Sequence, residues 1–207
     1  MAHQEKYLCE AAERIVETAK QLFAKQGYDA VSIRDIAAAA GVSKANVFHH
    51  FANKEELYQE TLRRSCAAAR AVLNEMANGQ MSPDEQLRSF FYNDLNRCLK
   101  DPDGTRLLLT EGFDCSADQA TYLVNQVFGR DFQLLTAILA DDQRAGTWRQ
   151  GIDPAVIATL MIAANSFFMA YREILRQLPG VDFADEPERY ADMIVEILLD
   201  GIRKEEE

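Results

Sequence analysis

The stretch Ser32 to Phe51, SIRDIAAAAGVSKANVFHHF, leaves its backbone few options. Ser32 followed by Asp35 is a capping box: the hydroxyl accepts from an otherwise unpaired N–H at a helix start, and the carboxylate reaches back to the cap. Ile36, Ala37 and Ala40 then share one face at helical spacing. At Gly41 the chain can turn left-handed without steric cost. Val42 plugs the turn, and Ser43 caps a second short helix whose Val47 and Phe51 face inward one turn apart. Lys44, Ala45, Asn46, Phe48 and His49 are left facing outward. Two short helices hinged at a glycine, the second with a polar outer face, make a helix-turn-helix over residues 32–51.

The flanks extend the pattern. Ile15, Ala19, Leu22 and Phe23 form an apolar stripe that ends at Gly27, and Asn53-Lys54-Glu55-Glu56-Leu57 opens a further capped helix. With A-x-x-L-F-x-x-x-G-Y from Ala19 to Tyr28, S-I-R-D-I-A-x-x-A-G-V-S from Ser32 to Ser43, the aromatic end Phe48 to Phe51, and N-K-E-E-L from Asn53, the run from about Leu8 to Arg64 resembles the DNA-binding domain of the TetR family of one-component repressors. The resemblance covers roughly the first third of the chain. It implies an all-α fold of about nine helices: a three-helix head at 8–65, joined by a long fourth helix to a helical ligand-binding and dimerisation body at 66–204.

The net charge of −11 argues against a nucleic-acid binder until its distribution is read. Residues 1–65 carry nine Lys/Arg and nine Asp/Glu, whereas the remainder carries 13 and 24. The head is therefore neutral, and phosphate affinity depends on cations presented locally. A hydrophobic content of 48% with 27% charged residues is that of an ordinary globular chain. No apolar run approaches the roughly 18 residues of a membrane span, so no membrane role is expected. The N-terminal residues lack a basic segment followed by an apolar one, so the expected location is cytoplasmic. Cys9, Cys66, Cys98 and Cys115 form no C-x-x-C pair and have no histidine at ligand spacing. Neither a metal nor any other cofactor is expected. The cysteines read as small buried hydrophobes, with a redox pair of Cys98 and Cys115 as the alternative.

Beyond the head, Ser82-Pro83-Asp84-Glu85, Ser116 with Gln119, and Asp153-Pro154 each start a helix. The helix from Asp153 carries two apolar stripes. Ile157, Met161, Ala164, Phe168, Tyr171, Leu175 and Leu178 alternate four-three spacing; Val156, Leu160, Phe167 and Ile174 lie on another face. A helix apolar on two faces must bury both, which favours a homodimer. By the resemblance, the last two helices form that interface, through Ile157, Met161, Ala164, Tyr171 and Leu175 with Ile194 and Ile197 of the final helix.

The remaining roles follow from the resemblance. The second short helix enters the major groove of a double-stranded DNA operator, with Ser43, Lys44, Ala45, Asn46, Phe48 and His49 at its surface. Asn46 is the candidate for bidentate pairing with adenine, and Ser32, Arg34 and Lys54 are phosphate clamps. Phe48 and Ala45 depart from the family's usual tyrosine and its glycine or proline. A small hydrophobic or amphipathic effector is expected in the body, near Phe90, Phe91, Phe113, Phe128 and Phe168, with Asn93 and Asn165, and also Glu111 and Arg130, as polar partners. The alternative is a DNA-binding dimer without small-molecule input. No Walker loop, G-x-G-x-x-G, G-x-S-x-G or H-E-x-x-H is present, so an enzyme is not expected.

Overall fold

Capping residues start the helices at the positions their chemistry demands. The computed structural model describes residues 2–79, 81–113 and 115–203, with side chains from residue 10 onward except at 68 and 69. In chain order the helices are α1 (Ala2–Gln26), α2 (Ile33–Ala39), α3 (Lys44–His50), α4 (Lys54–Ala77), α5 (Pro83–Lys100), α6 (Pro102–Phe113), α7 (Ala117–Leu123), α8 (Gly129–Arg144), α9 (Pro154–Leu175) and α10 (Pro187–Ile202). A π-helical turn, Val124–Phe128, joins α7 to α8, so the single helix expected after Ser116 is one rod with a bulge. Among the described residues there is no strand, only an isolated bridge between Trp148 and Arg203. Ser32 and Ser82 close full capping boxes with Asp35 and Glu85, and Asp153 accepts from the Ala155 N–H at 2.8 Å.

The chain divides into two compact units, Met1–Ser65 with Asp103–Cys115, and Cys66–Pro102 with Ser116–Glu207. α6, which lies within the body expected at 66–204, groups with the first unit by its contacts. One cause is visible in that first unit: the Tyr58 hydroxyl on α4 donates to the Glu111 carboxylate on α6.

In the first unit, Ile15, Ala19 and Phe23 of α1, Ile36 of α2, Val47 of α3 and Leu57 of α4 are all buried. Phe23, Tyr28 and Tyr58 close this core as an aromatic cluster, with Phe23 edge-on to Tyr58 at 5.0 Å between centroids. Gly41 takes φ +66°, the left-handed turn that lets α3 fold back across α2.

In the second unit, α5 packs against α9 and α10, and α8 against α9. Leu87, Phe91 and Leu95 of α5 meet Leu135 of α8, Ala158 and Phe168 of α9, and Val195 of α10 in one core. The two stripes of α9 correct the expectation. Ile157 and Met161, assigned above to the dimer interface, are 3% and 0% exposed within the chain's own core. The outward stripe is the other one, with Val156, Leu160, Phe167 and Ile174 each 51–56% exposed. Phe167 stacks on Tyr171 there at 4.6 Å, and Ile197 of α10 is also exposed. Ala164, Leu175 and Ile194 are half-buried. Asn165 stands beside the inward residues Met161 and Phe168, and its amide needs partners that only the interior supplies.

A second correction concerns the same helix. α9 is long and apolar enough, by length and composition, to cross a membrane, against the expectation that no stretch approaches that length. Its inward face is committed to α5 and α8 and carries a buried asparagine, while its other stripe stays exposed.

Candidate functional site

The outer face of α3 and the helix starts beside it make up the candidate nucleic-acid interface. Ser43 accepts from the Asn46 N–H at 3.1 Å and sets the entry of α3. Val47, fully buried, anchors the helix from below, and Phe51 follows it inward. That orientation leaves Lys44, Ala45, Phe48 and His49 exposed. The Lys44 ammonium lies 5.5 Å from the centre of the Phe48 ring, a loose cation–π contact that positions the charge without consuming it. Asn46 is half-buried, and its Oδ1 is shielded without a partner among the described residues. Pairing with adenine therefore requires the amide to rotate, about a torsion that is soft at the end of this side chain.

Ser32 and Arg34 are exposed at the start of α2. The Ser32 hydroxyl is engaged by Asp35, and this bond, with the Ser32 backbone N–H, holds the Asp35 carboxyl below its ordinary range. Lys54 sits 4.1 Å above the Tyr28 ring at the start of α4, where Asn53 accepts from the Glu56 N–H at 2.8 Å. Burial, reinforced by a hydrogen bond to Glu55, pushes the Tyr28 phenol up to about 12, so it stays neutral under the cation. His49 and His50 meet edge to face at 5.2 Å, with His49 outward and His50 half-buried. Burial, then the neighbouring His49, lowers the His50 pKa, so His50 is neutral and packs within the head. Among the described residues no group of His, Cys, Asp and Glu has the makings of a metal site.

The residues expected to meet an effector separate into two sets. Phe90, Phe91, Asn165 and Phe168 share the core of the second unit, with Asn165 Nδ2 donating to the Phe91 carbonyl at 3.1 Å. Phe128 is half-buried at the end of the π turn. Asn93 and Phe113 are not in that core. Phe91, Asp94, Leu95 and Cys98 occupy the inward face of α5, so Asn93 points out and donates to the Ser89 carbonyl at 2.8 Å. Phe113 closes α6 in the other unit and is 87% exposed. Arg130 is exposed, and Glu111 is taken by Tyr58.

What the spacing did not reveal is a buried polar cluster in the second unit. Asp94 and Arg97 of α5 form an ion pair at 2.8 Å with both side chains nearly inaccessible. Asn165 of α9 donates to the other oxygen of Asp94 at 3.1 Å. Arg70 of α4 grips Asp131 of α8 through two bonds of 3.0 and 3.2 Å. Cys66 lies in the field of all four charges, and burial pushes its thiol up to about 11. Such a thiol stays protonated and is a poor target for oxidants. Cys98 is buried, and Cys9 lies outside the residues whose side chains are described. The signal that was available is Asp94 itself, a carboxylate between Phe91, Leu95 and Cys98 on the apolar face of its helix.

Comparison with known proteins agrees with this layout. Residues 15–61 match the family model described as bacterial regulatory proteins, tetR family, and residues 83–198 match the tetracyclin repressor-like C-terminal domain. The HTH-type transcriptional repressor KstR2 of Mycobacterium tuberculosis is 35% identical over 77 residues, 37% of this chain. In that match the chain spans only 38% of KstR2's length. Two solved structures share the fold over nearly the whole chain. The ketosteroid transcriptional regulator KstR2 of M. tuberculosis superposes with a TM-score of 0.70 at 22% identity, covering 94% of this chain and 95% of its own. The fatty acid degradation regulator FadR of Bacillus halodurans does so with a TM-score of 0.73 at 18% identity, covering 92% and 99%.

Proposed function

The chain belongs to the TetR family of bacterial regulatory proteins, and from that membership we propose that it is a cytoplasmic transcriptional repressor that binds a palindromic operator as a homodimer and is released by a small, largely apolar effector. The observation that carries the DNA-binding part is the exposed face of α3, where Lys44, Ala45, Phe48 and His49 stand clear of a helix anchored by Val47. Lys44 and Asn46 are the residues assigned to the groove; Ser32, Arg34 and Lys54 are assigned to the flanking phosphates, with the helix N-termini at Ser32 and Asn53 adding partial positive charge.

One head reads only a few base pairs, so two are needed for useful affinity, with half-sites about 34–36 Å apart or a multiple of that distance. The exposed stripe of α9, together with Ile197 of α10, is the surface assigned to pairing. Five large apolar side chains on these two helices are half or more exposed, the kind of surface that marks an interaction site. The effector acts by differential binding: it favours a body conformation in which the paired heads no longer match the spacing of the operator.

The test is retention of a duplex from upstream of the protein's own gene in a gel-shift titration at several salt concentrations. The expected result is an affinity that falls steeply as salt rises. Absence of any salt-sensitive retention would sink the assignment.

A further inference from the structure

We propose that Arg97 and Asn165 are the recognition point for the polar end of the effector, and that this end is an uncharged group able both to accept and to donate a hydrogen bond, a hydroxyl or a carboxamide. This rests on the ligand-controlled function proposed above and adds the chemistry of the ligand.

The two side chains present opposite needs. Asn165 is wholly buried, and its Nδ2 serves the Phe91 carbonyl and the Asp94 carboxylate, both at 3.1 Å. Exchanging the amide's ends would set its oxygen against two oxygens, so the orientation is fixed. The Asn165 Oδ1 is left shielded with no partner among the described residues: an unspent acceptor. Arg97 directs Nε and Nη2 at Asp94 Oδ1, at 3.1 and 2.8 Å, and Nη2 also lies 3.2 Å from Cys98 Sγ. Its Nη1, on the far side of the planar guanidinium, is shielded and likewise has no partner: an unspent donor. Each is tethered to one oxygen of the same carboxylate, so donor and acceptor flank Asp94.

Buried polar atoms left unpaired are costly, and native proteins rarely leave two in one cluster. A hydroxyl or a carboxamide carries both the acceptor that Nη1–H lacks and the donor that Oδ1 lacks. A charged head group fits poorly. Asp94 is already neutralised by Arg97, and Asp131 by Arg70, so a carboxylate or an ammonium would arrive without a counter-ion. The surroundings suit an apolar body. Phe90 and Phe91 lie one turn before Asp94, and Phe168 follows Asn165 by one turn, all three buried.

The test uses the full-length protein and four probes with one chain and different heads: 1-octanol, octanamide, octanoate and 1-chlorooctane, titrated calorimetrically at pH 7.5. The expected result is that octanol and octanamide bind at least tenfold more tightly than octanoate and chlorooctane. In Asn165→Leu, the preference for octanol over chlorooctane collapses while chlorooctane binding persists. If that variant does not fold, the head-group ranking in the unsubstituted protein decides alone. Equal or tighter binding of octanoate overturns the proposal. So does a lack of any head-group preference, which would assign the two atoms to a bound water, and so does failure of all four probes to bind. DNA retention measured in parallel separates the two levels. Probes that bind in the expected order yet leave retention unchanged sink the ligand-controlled function and spare the head-group assignment.

Discussion

Tyr58 on α4 donates its phenolic hydrogen to the carboxylate of Glu111 on α6, and this bond ties a helix distant in sequence to the DNA-reading head. Tyr58 is also the edge-on partner of Phe23, so one side chain joins the head's core to its most remote element. Tyr58→Phe keeps the ring and removes the bond. The expected cost is about 1 kcal/mol, because the half-buried Glu111 can turn to water for replacement. Chemical denaturation of the two proteins checks it, and an unchanged midpoint would show the bond to be incidental.

The same tyrosine predicts alkaline behaviour. Burial first, then the bond to Glu111, raises the Tyr58 phenol well above its ordinary value of 10.0. Below pH 10 the tyrosine is protonated in both folded and unfolded chains, so its contribution is constant. Above pH 10 the unfolded chain releases the proton and the folded chain keeps it, so stability falls with a slope of up to about 1.4 kcal/mol per pH unit. Tyr28, Tyr92 and Tyr190, each pushed up to about 12 chiefly by burial, act in the same direction. Denaturation midpoints between pH 9 and 11 are expected to drop less steeply in Tyr58→Phe than in the parent.

Two glycines in helices give opposite predictions. A Cβ on Gly129 would lie 2.3 Å from the Val124 carbonyl oxygen, because the π turn brings that carbonyl against the helix start. Gly129→Ala is expected to destabilise by about 1–3 kcal/mol, as overpacking does. A Cβ on Gly112, in α6, meets nothing within 4 Å, and Gly112→Ala is expected to stabilise by up to about 1 kcal/mol through helix propensity. Thermal melts of the pair against the parent decide.

The two faces of α9 are separable by substitution. Phe167→Asp places a charge on the exposed stripe and is expected to yield a folded monomer in sedimentation at micromolar concentration. Met161→Asp puts the same charge into the core and is expected to unfold the second unit. A dimer surviving Phe167→Asp would move the pairing surface elsewhere.

For DNA, Arg34→Ala is expected to weaken binding to all duplexes alike and to lower the salt slope by about one, as loss of a phosphate contact does. Lys44→Ala is expected to alter preference among operator variants as well as affinity. Gel shifts at a series of salt concentrations distinguish the two outcomes.

The head was legible because its signals are local. Ser32 with Asp35, Gly41, and Ser43 before Val47 each fix a cap, a turn or an inward face from neighbours within four residues. The two stripes of α9 were equally visible, but their ranking depends on α5 and α8, which bury one and not the other. Chain spacing carries no record of that choice, and Asn165, buried beside Met161 and Phe168, belongs to neither stripe. The attachment of α6 to the head rests on Tyr58 and Glu111, far apart in sequence, and the π turn depends on Gly129 lacking a side chain. Asp94 and Arg97 were overlooked for a different reason: three residues apart on a helix, they resemble a routine surface pair unless the apolar neighbours of Asp94 are weighed.

The outward stripe of α9 also bears on how much regulator a cell must make. On the pairing proposed above, a newly synthesised copy keeps that greasy band wet until it meets a sibling, so the population able to grip an operator would grow faster than in proportion to total protein. Scarce copies would then wait alone and leave the promoter open, and a modest rise in synthesis would shut it sharply.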